Sequence, residues 1–116
     1  MNTTEISEAR LQQECFMWHW NNRPAERGRL WMNYNNAKNR NHGAILRGMG
    51  MLAGVADMTY LRTDGRPVFI ELKVDGNGQS PKQKAWEQVV SACNAFYHLA
   101  TTQEGFEQII EQHGGD

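Results

Sequence analysis

Two carboxylates and one ammonium group stand out, because a single turn can bring them together. Asp57 lies in the run Val55-Ala56-Asp57, and Glu71 and Lys73 lie in Ile70-Glu71-Leu72-Lys73. Between them sits Thr63-Asp64-Gly65-Arg66, and Asp-Gly flanked by apolar runs is the strongest short-range signal for a β-hairpin. Strands over 55–61 and 67–74, folded at that turn, place Asp57 nearly opposite Glu71. Side chains alternate along a strand, so Glu71 and Lys73 share one face while Ile70, Leu72 and Val74 take the other. Like charges side by side on a sheet are unfavourable and need compensation. A Glu71–Lys73 ion pair on a solvated face is the simplest compensation. A divalent cation is the stronger one, since Mg²⁺ takes one or two carboxylates and keeps waters for phosphate oxygens. On these residues alone both readings stand.

The elements that must position this patch follow from the apolar spacing. A helix is expected over 7–21, with Ser7 as its cap and Leu11, Cys15 and Trp18 on one face; Glu8 and Gln12 lie in line with that stripe. A short strand is expected over 29–34, then a polar Asn-rich loop over 35–42 and a short helix over 44–52. After the hairpin, Ser80-Pro81 opens a helix over 81–95 with Trp86, Val89, Val90 and Cys93 on its apolar face. A last strand over 96–100 and a helix over 102–113, carrying Phe106, Ile109 and Ile110, complete the chain. The order is α-β-(α)-β-β-α-β-α, an α/β fold with a mixed sheet and a central hairpin flanked by helices.

The 116 residues fit one domain, 1–116, large enough to bury a core without staples. No apolar run is long enough for a membrane span, and the N-terminus shows no basic stretch followed by an apolar one, so no secretory signal is expected. Cys15 and Cys93 are far apart and lack metal-ligand spacing, which suits reduced thiols in the cytoplasm. There is no Gly-rich phosphate-binding motif, so no nucleotide cofactor is expected. The net charge of −1 conceals an asymmetry. Arg23, Arg27, Arg29, Lys38, Arg40 and Arg47 face only Glu26 over 22–47, whereas Glu104, Glu107, Glu111 and Asp116 have no Lys or Arg among them. A basic stretch interleaved with Trp31, Tyr34 and several Asn raises the prospect of a polyanionic partner; an ordinary solvated face is the alternative. His19, His42, His98 and His113 share no ligand spacing and read as surface or loop residues. Trp18, Trp20, Trp31 and Trp86 read mostly as core, with Trp31 or Tyr34 able to stack on a base, and Met49, Met51 and Met58 as core fillers.

Gly54-Val55-Ala56-Asp57, Ile70-Glu71-Leu72-Lys73 and the segment Gly76-Asn77-Gly78-Gln79-Ser80-Pro81-Lys82-Gln83 together resemble the core of the PD-(D/E)XK, restriction-endonuclease-like nucleases. They are most similar to the VRR-NUC (virus-type replication-repair nuclease) family in its small stand-alone phage and bacterial form. The resemblance spans most of the chain. It implies that Asp57, Glu71 and the main-chain carbonyl of Leu72 hold Mg²⁺ or Mn²⁺, with Lys73 orienting the attacking water and offsetting transition-state charge. It also implies that Gln83 lines the site, and that Glu8 and Gln12 support it from the first helix, Glu14 being the competitor of Glu8. Asn35 resembles the family's Asn after the first strand. Where the family usually has Pro before the aspartate, this chain has Ala56, a change in backbone stiffness that removes no ligand.

The implied activity is metal-dependent hydrolysis of DNA phosphodiesters, selective for branched structures such as Holliday junctions and carried out by a homodimer. Lys38, Arg40, Arg47 and Asn35 are the expected DNA contacts, and no base-reading element is visible. Two rivals stand beside it: from another class, a DNA-binding module with weak or no catalysis, and a restriction-type nuclease subunit that needs a partner. Metal-dependent nicking of branched DNA by the purified chain excludes the first. Cutting of random duplex only on adding a partner favours the second.

Overall fold

The computed structural model describes residues 3–34, 39–74 and 76–114, with side chains from Glu8 onward. Helix α1 (Thr3–Asn22) leads through a 3₁₀ turn (Pro24–Glu26) into strand β1 (Leu30–Met32), and helix α2 (Arg40–Gly48) follows. The hairpin strands are β2 (Met58–Leu61) and β3 (Pro67–Leu72). Helix α3 (Pro81–Ala92), strand β4 (Phe96–Ala100) and helix α4 (Gln103–Gly114) complete the order read from the sequence. The sheet order is β1-β2-β3-β4, with antiparallel pairing as far as β3 and a parallel β3–β4 pair linked by α3. It is a mixed sheet flanked by helices.

Two helix starts differ from those read in the sequence. Ser7 lies inside α1, which begins a turn earlier than its expected cap. Helix α2 begins at Arg40, because the Asn39 side chain caps it by accepting from the His42 N–H at 2.8 Å. The hairpin turn closes with Gly65 N–H donating to the Arg62 carbonyl at 3.0 Å, and Gly65 takes the positive φ of 85° that this turn requires.

The core lies between the sheet and the pair α1 and α4. Met58, Tyr60, Val68, Ile70 and Leu72 point into it, meeting Leu11 and Cys15 of α1 and Phe106, Ile109 and Ile110 of α4. Each fully buried side chain of this kind contributes roughly 1.5–3 kcal/mol. The opposite face of the sheet carries Phe69, which packs edge-on against Trp86 of α3 at 4.7 Å between ring centroids, and Trp86 in turn meets Tyr97. Among the described residues no helix is long and apolar enough to cross a membrane.

Several expectations about individual residues are corrected. His19 and His113 are buried, and His98 is half-buried with its Nε2 2.9 Å from that of His113. Arg62 must donate to His113 Nδ1 (3.0 Å), so the proton of His113 sits on Nε2 and the histidine pair is an internal link between α4, β4 and the hairpin. Trp20 and Trp31 are exposed, and of the three methionines read as core only Met58 is fully buried. Met49, the C-cap of α2, is exposed because, among the described residues, that helix packs closely on no other helix or strand.

Glu26, the lone acid of the basic stretch, is a buried acceptor rather than a bystander. It takes hydrogen bonds from Arg23 Nε at 2.9 Å, Tyr60 Oη at 2.7 Å and His19 Nε2 at 3.0 Å, with Arg29 at 3.5 Å. Arg23 and Arg29 are thereby committed inside the fold, while Arg27 lies over the Trp20 ring. Burial pushes the Glu26 carboxyl up, but the bonds from Arg23, Tyr60 and His19 outweigh it and hold its pKa at about 2. An unfolded Glu titrates near ~4.3, so folding gains about 3 kcal/mol from this group above that pH and loses it as pH falls toward the folded value. Glu26→Gln should therefore unfold about 10 °C lower than wild type at pH 6, with the two melting curves converging as pH approaches ~2. Parallel melting curves across that pH range would show that the cluster is not the source of acid sensitivity.

Candidate active site

Asp57 lies in the bend just before β2. The end of β1 holds it there: Asn33 N–H donates to the Asp57 carbonyl at 2.9 Å, and the Asn33 amide donates to the Ala56 carbonyl at 3.0 Å. Thr59 Oγ1 donates in turn to Asn33 Oδ1 at 3.0 Å. The backbone stiffness that a proline would supply at Ala56 is thus replaced by a side-chain clamp, with Ala56 fully buried. The observed register pairs Met58 with Ile70, which puts Asp57 opposite Glu71 in the next position of the ladder. Leu72 N–H donates to Asp57 Oδ2 at 2.7 Å and fixes that carboxylate against β3.

Glu71 is only 2% exposed. Its Oε2 accepts from Gln83 Nε2 at 3.0 Å and lies 3.9 Å from Lys73 Nζ. Burial first, then the adjacent Asp57, pushes the Glu71 carboxyl well above the usual carboxylate range; Lys73 opposes the rise and Glu8 adds to it. Its Oε1 is buried with no hydrogen-bond partner among the described residues. An orphaned buried carboxyl oxygen costs about 1–3 kcal/mol, which a cation or a donor beside Oε1 would relieve. Among the described residues no three His, Cys, Asp or Glu side chains converge for a metal. A cation here could be held by the two carboxylates and would draw its remaining oxygens from main chain, water and substrate, the habit of Mg²⁺ rather than of Zn²⁺.

Gln83 is positioned by its own helix. Ser80 Oγ accepts from Gln83 N–H, and Gln83 Oε1 accepts from Ser80 N–H at 2.8 Å, a reciprocal cap at the start of α3. The amide can be oriented only one way: oxygen to the cap, nitrogen to Glu71. Gly54 makes the approach of α3 possible. Its φ is +90°, and a Cβ there would collide with the main-chain carbonyl of Lys82. Gly54→Ala should destabilise the protein by roughly 2–3 kcal/mol, from the strained φ and the displaced first turn of α3. Urea unfolding measures this, and a loss below ~0.5 kcal/mol would mean that the contact yields freely.

Of the residues expected from sequence, Asp57, Glu71, Lys73 and Gln83 converge, and Glu8 lies near enough to act on Glu71 electrostatically. Gln12, one turn on from Glu8 in α1, lines a groove of about 600 Å³ between α1 and β1 with Phe16, Trp31, Met32 and Met58. Arg40 and Arg47 are exposed on α2, while Asn35 and Lys38 fall outside the described residues. Sequence reasoning missed Asn33, and also Gln79, whose amide bridges Glu87 at 3.0 Å and the Tyr97 hydroxyl at 3.1 Å. Burial raises the Tyr97 hydroxyl to about 12, and Glu71, Glu87 and Asp57 push it the same way against Gln79. The partners of Gln79 come from α3 and β4, so no local pattern marks it.

No family model and no curated protein matches the sequence. Among solved structures, one described as a "VRR_NUC domain protein" superposes with a TM-score of 0.69 over 91% of this chain and 86% of that one, at 18% identity. The chain has the VRR_NUC fold. The fold class anticipated from the hairpin and its flanking helices is thereby confirmed. In this VRR_NUC-like arrangement the acidic pair sits where the bend before β2 meets β3 and the first turn of α3.

Proposed function

We propose that the chain is a single-domain, Mg²⁺- or Mn²⁺-dependent endodeoxyribonuclease that cuts branched DNA, Holliday junctions included, as a homodimer in the cytoplasm. The observation that carries this reading is the buried Glu71 Oε1 without a partner, beside Asp57, Lys73 and Gln83. The likeness in fold to a VRR_NUC domain protein supports the reading. Asp57, Glu71 and the Leu72 carbonyl would hold the cation. When bound, it would offset the carboxylate pair, polarise a phosphodiester and make water a better nucleophile at neutral pH.

The chain's own groups do the rest. Leu72 N–H and Gln83 Nε2 hold the two carboxylates in fixed orientations, so no reorganisation is needed as charge develops. Lys73, with its side chain 13% exposed, keeps its ammonium near Glu71, where it can orient a water and face a phosphate oxygen. Glu8 would support the metal site from α1. Arg40 and Arg47, with Lys38 and Asn35, would contact the phosphate backbone, which sets position but reads no sequence. Two copies supply the two sites that paired cuts across a junction require.

Cleavage of a four-way junction and of a linear duplex of matched sequence, in Mg²⁺, Mn²⁺ or EDTA, tests this. The junction should be cut faster, and EDTA should stop all cutting. Failure to cut either substrate with any divalent cation, or cutting that persists in EDTA, would overturn the proposal.

A further inference from the structure

Helix α2, its C-cap and the segment that follows it expose apolar side chains that the fold leaves uncovered. Ile45 is 62%, Met49 78% and Leu52 58% exposed, and among the described residues no helix or strand packs closely over them. Helical spacing sets Ile45 and Met49 on one edge of α2 and Arg40 and Arg47 on the other. Between them the outward ridge is Asn41, Ala44 and Gly48, small enough for a bulky partner to come close. The buried Gly43 and the half-buried Leu46 mark the side turned to the protein.

The charge around this edge says what kind of partner fits. No Asp or Glu occurs between Glu26 and Asp57, whereas Arg40 and Arg47 are exposed on α2 itself. An edge with this one-sided charge suits a polyanion that can also offer apolar faces. Duplex DNA does so where stacking is broken, and Ile, Leu and Met are among the side chains that enter opened base steps. Distance points the same way. Five residues lead from Leu52 to Asp57, so the chain keeps them within about 18 Å, roughly five base steps.

We infer that Ile45, Met49 and Leu52 form a wedge that occupies the unstacked base step at a DNA branch point, beside the scissile phosphate. This rests on the proposed nuclease reading and supplies its selectivity: an intact duplex must be unstacked to admit the wedge, whereas a branch point offers the opening already.

The test uses the purified full chain and an Ile45→Ala, Met49→Ala, Leu52→Ala variant, checked for an unchanged melting temperature since all three side chains face solvent. A four-way junction with 2-aminopurine at the branch point is titrated with Ca²⁺ in place of Mg²⁺, and cutting is measured separately in Mg²⁺. Wild type should raise the 2-aminopurine fluorescence, and cuts should fall within about five nucleotides of the branch. The variant should lose the fluorescence change and about tenfold or more of the junction-to-duplex affinity ratio, since unstacking a step of intact duplex is costly. A variant that keeps both overturns the wedge, as does one that loses junction binding only because sedimentation shows its self-association broken. Cutting of junctions without any fluorescence change in wild type would sink the wedge and leave the nuclease. A fluorescence change without cutting would sink the nuclease and leave the wedge.

Discussion

Asp57→Asn should abolish cleavage while raising the melting temperature, and Glu71→Gln should do the same. Each substitution keeps shape and removes one carboxyl, with the negative charge it can carry, from a pair that the fold forces together. Binding of a divalent cation depends on that charge, so the loss in turnover should exceed the roughly 10²–10³-fold that follows removal of one preorganised electrostatic contact. Saturating metal should not restore the rate. Stability should move the other way, because burial and the proximity of Asp57 already disfavour an ionised Glu71. A glutamine amide can donate to Asp57 at any pH, whereas the Glu71 carboxyl can do so only after taking up a proton. Melting in EDTA should show a gain of several degrees for either variant, on the order of 1 kcal/mol. Turnover by either variant within tenfold of wild type at saturating Mg²⁺ would remove the pair from the chemistry.

Lys73→Ala should lose turnover without losing DNA. A positioned group that orients or relays protons contributes about 10²–10⁴-fold to rate. One ammonium among many phosphate contacts changes affinity little, and Lys73 is too enclosed to reach far along a duplex. Single-turnover cutting should therefore fall by about that factor while the dissociation constant for junction DNA shifts less than about threefold. Lys73→Arg should recover little, since a guanidinium keeps the charge but not the compact geometry or the ability to release a proton. A variant that binds weakly and yet turns over normally at saturation would move Lys73 to the binding surface.

How much was legible in advance varies by residue, and the physical reason is range. The Asp64-Gly65 turn and the alternation around Glu71 act over a few residues, so the opposition of Asp57 and Glu71 could be read directly and the register agrees. Ser80-Pro81 marks the start of α3 by the same local logic, whereas Gln83 was implied only by the family resemblance, and its place in the cap came from the structure. The histidines misled because isolation in sequence says nothing about burial: His98 and His113 meet only when β4 and α4 pack. The basic stretch misled in part because Glu26, three residues from Arg23, joins Tyr60 from a distant strand and draws Arg23 and Arg29 inward.

The sequence by itself determined the order of elements, the hairpin, and the face that carries Glu71 and Lys73, because turn chemistry and side-chain alternation are properties of neighbouring residues. Only the tertiary structure decided that Glu71 would be buried with one oxygen left unpartnered, that Asn33 would do the work of a proline for Asp57, and that α2 would present its apolar edge to solvent. Those outcomes depend on which surfaces meet across the sheet and which find no partner. Burial and desolvation are set by the whole packed molecule, and no short window of sequence contains them.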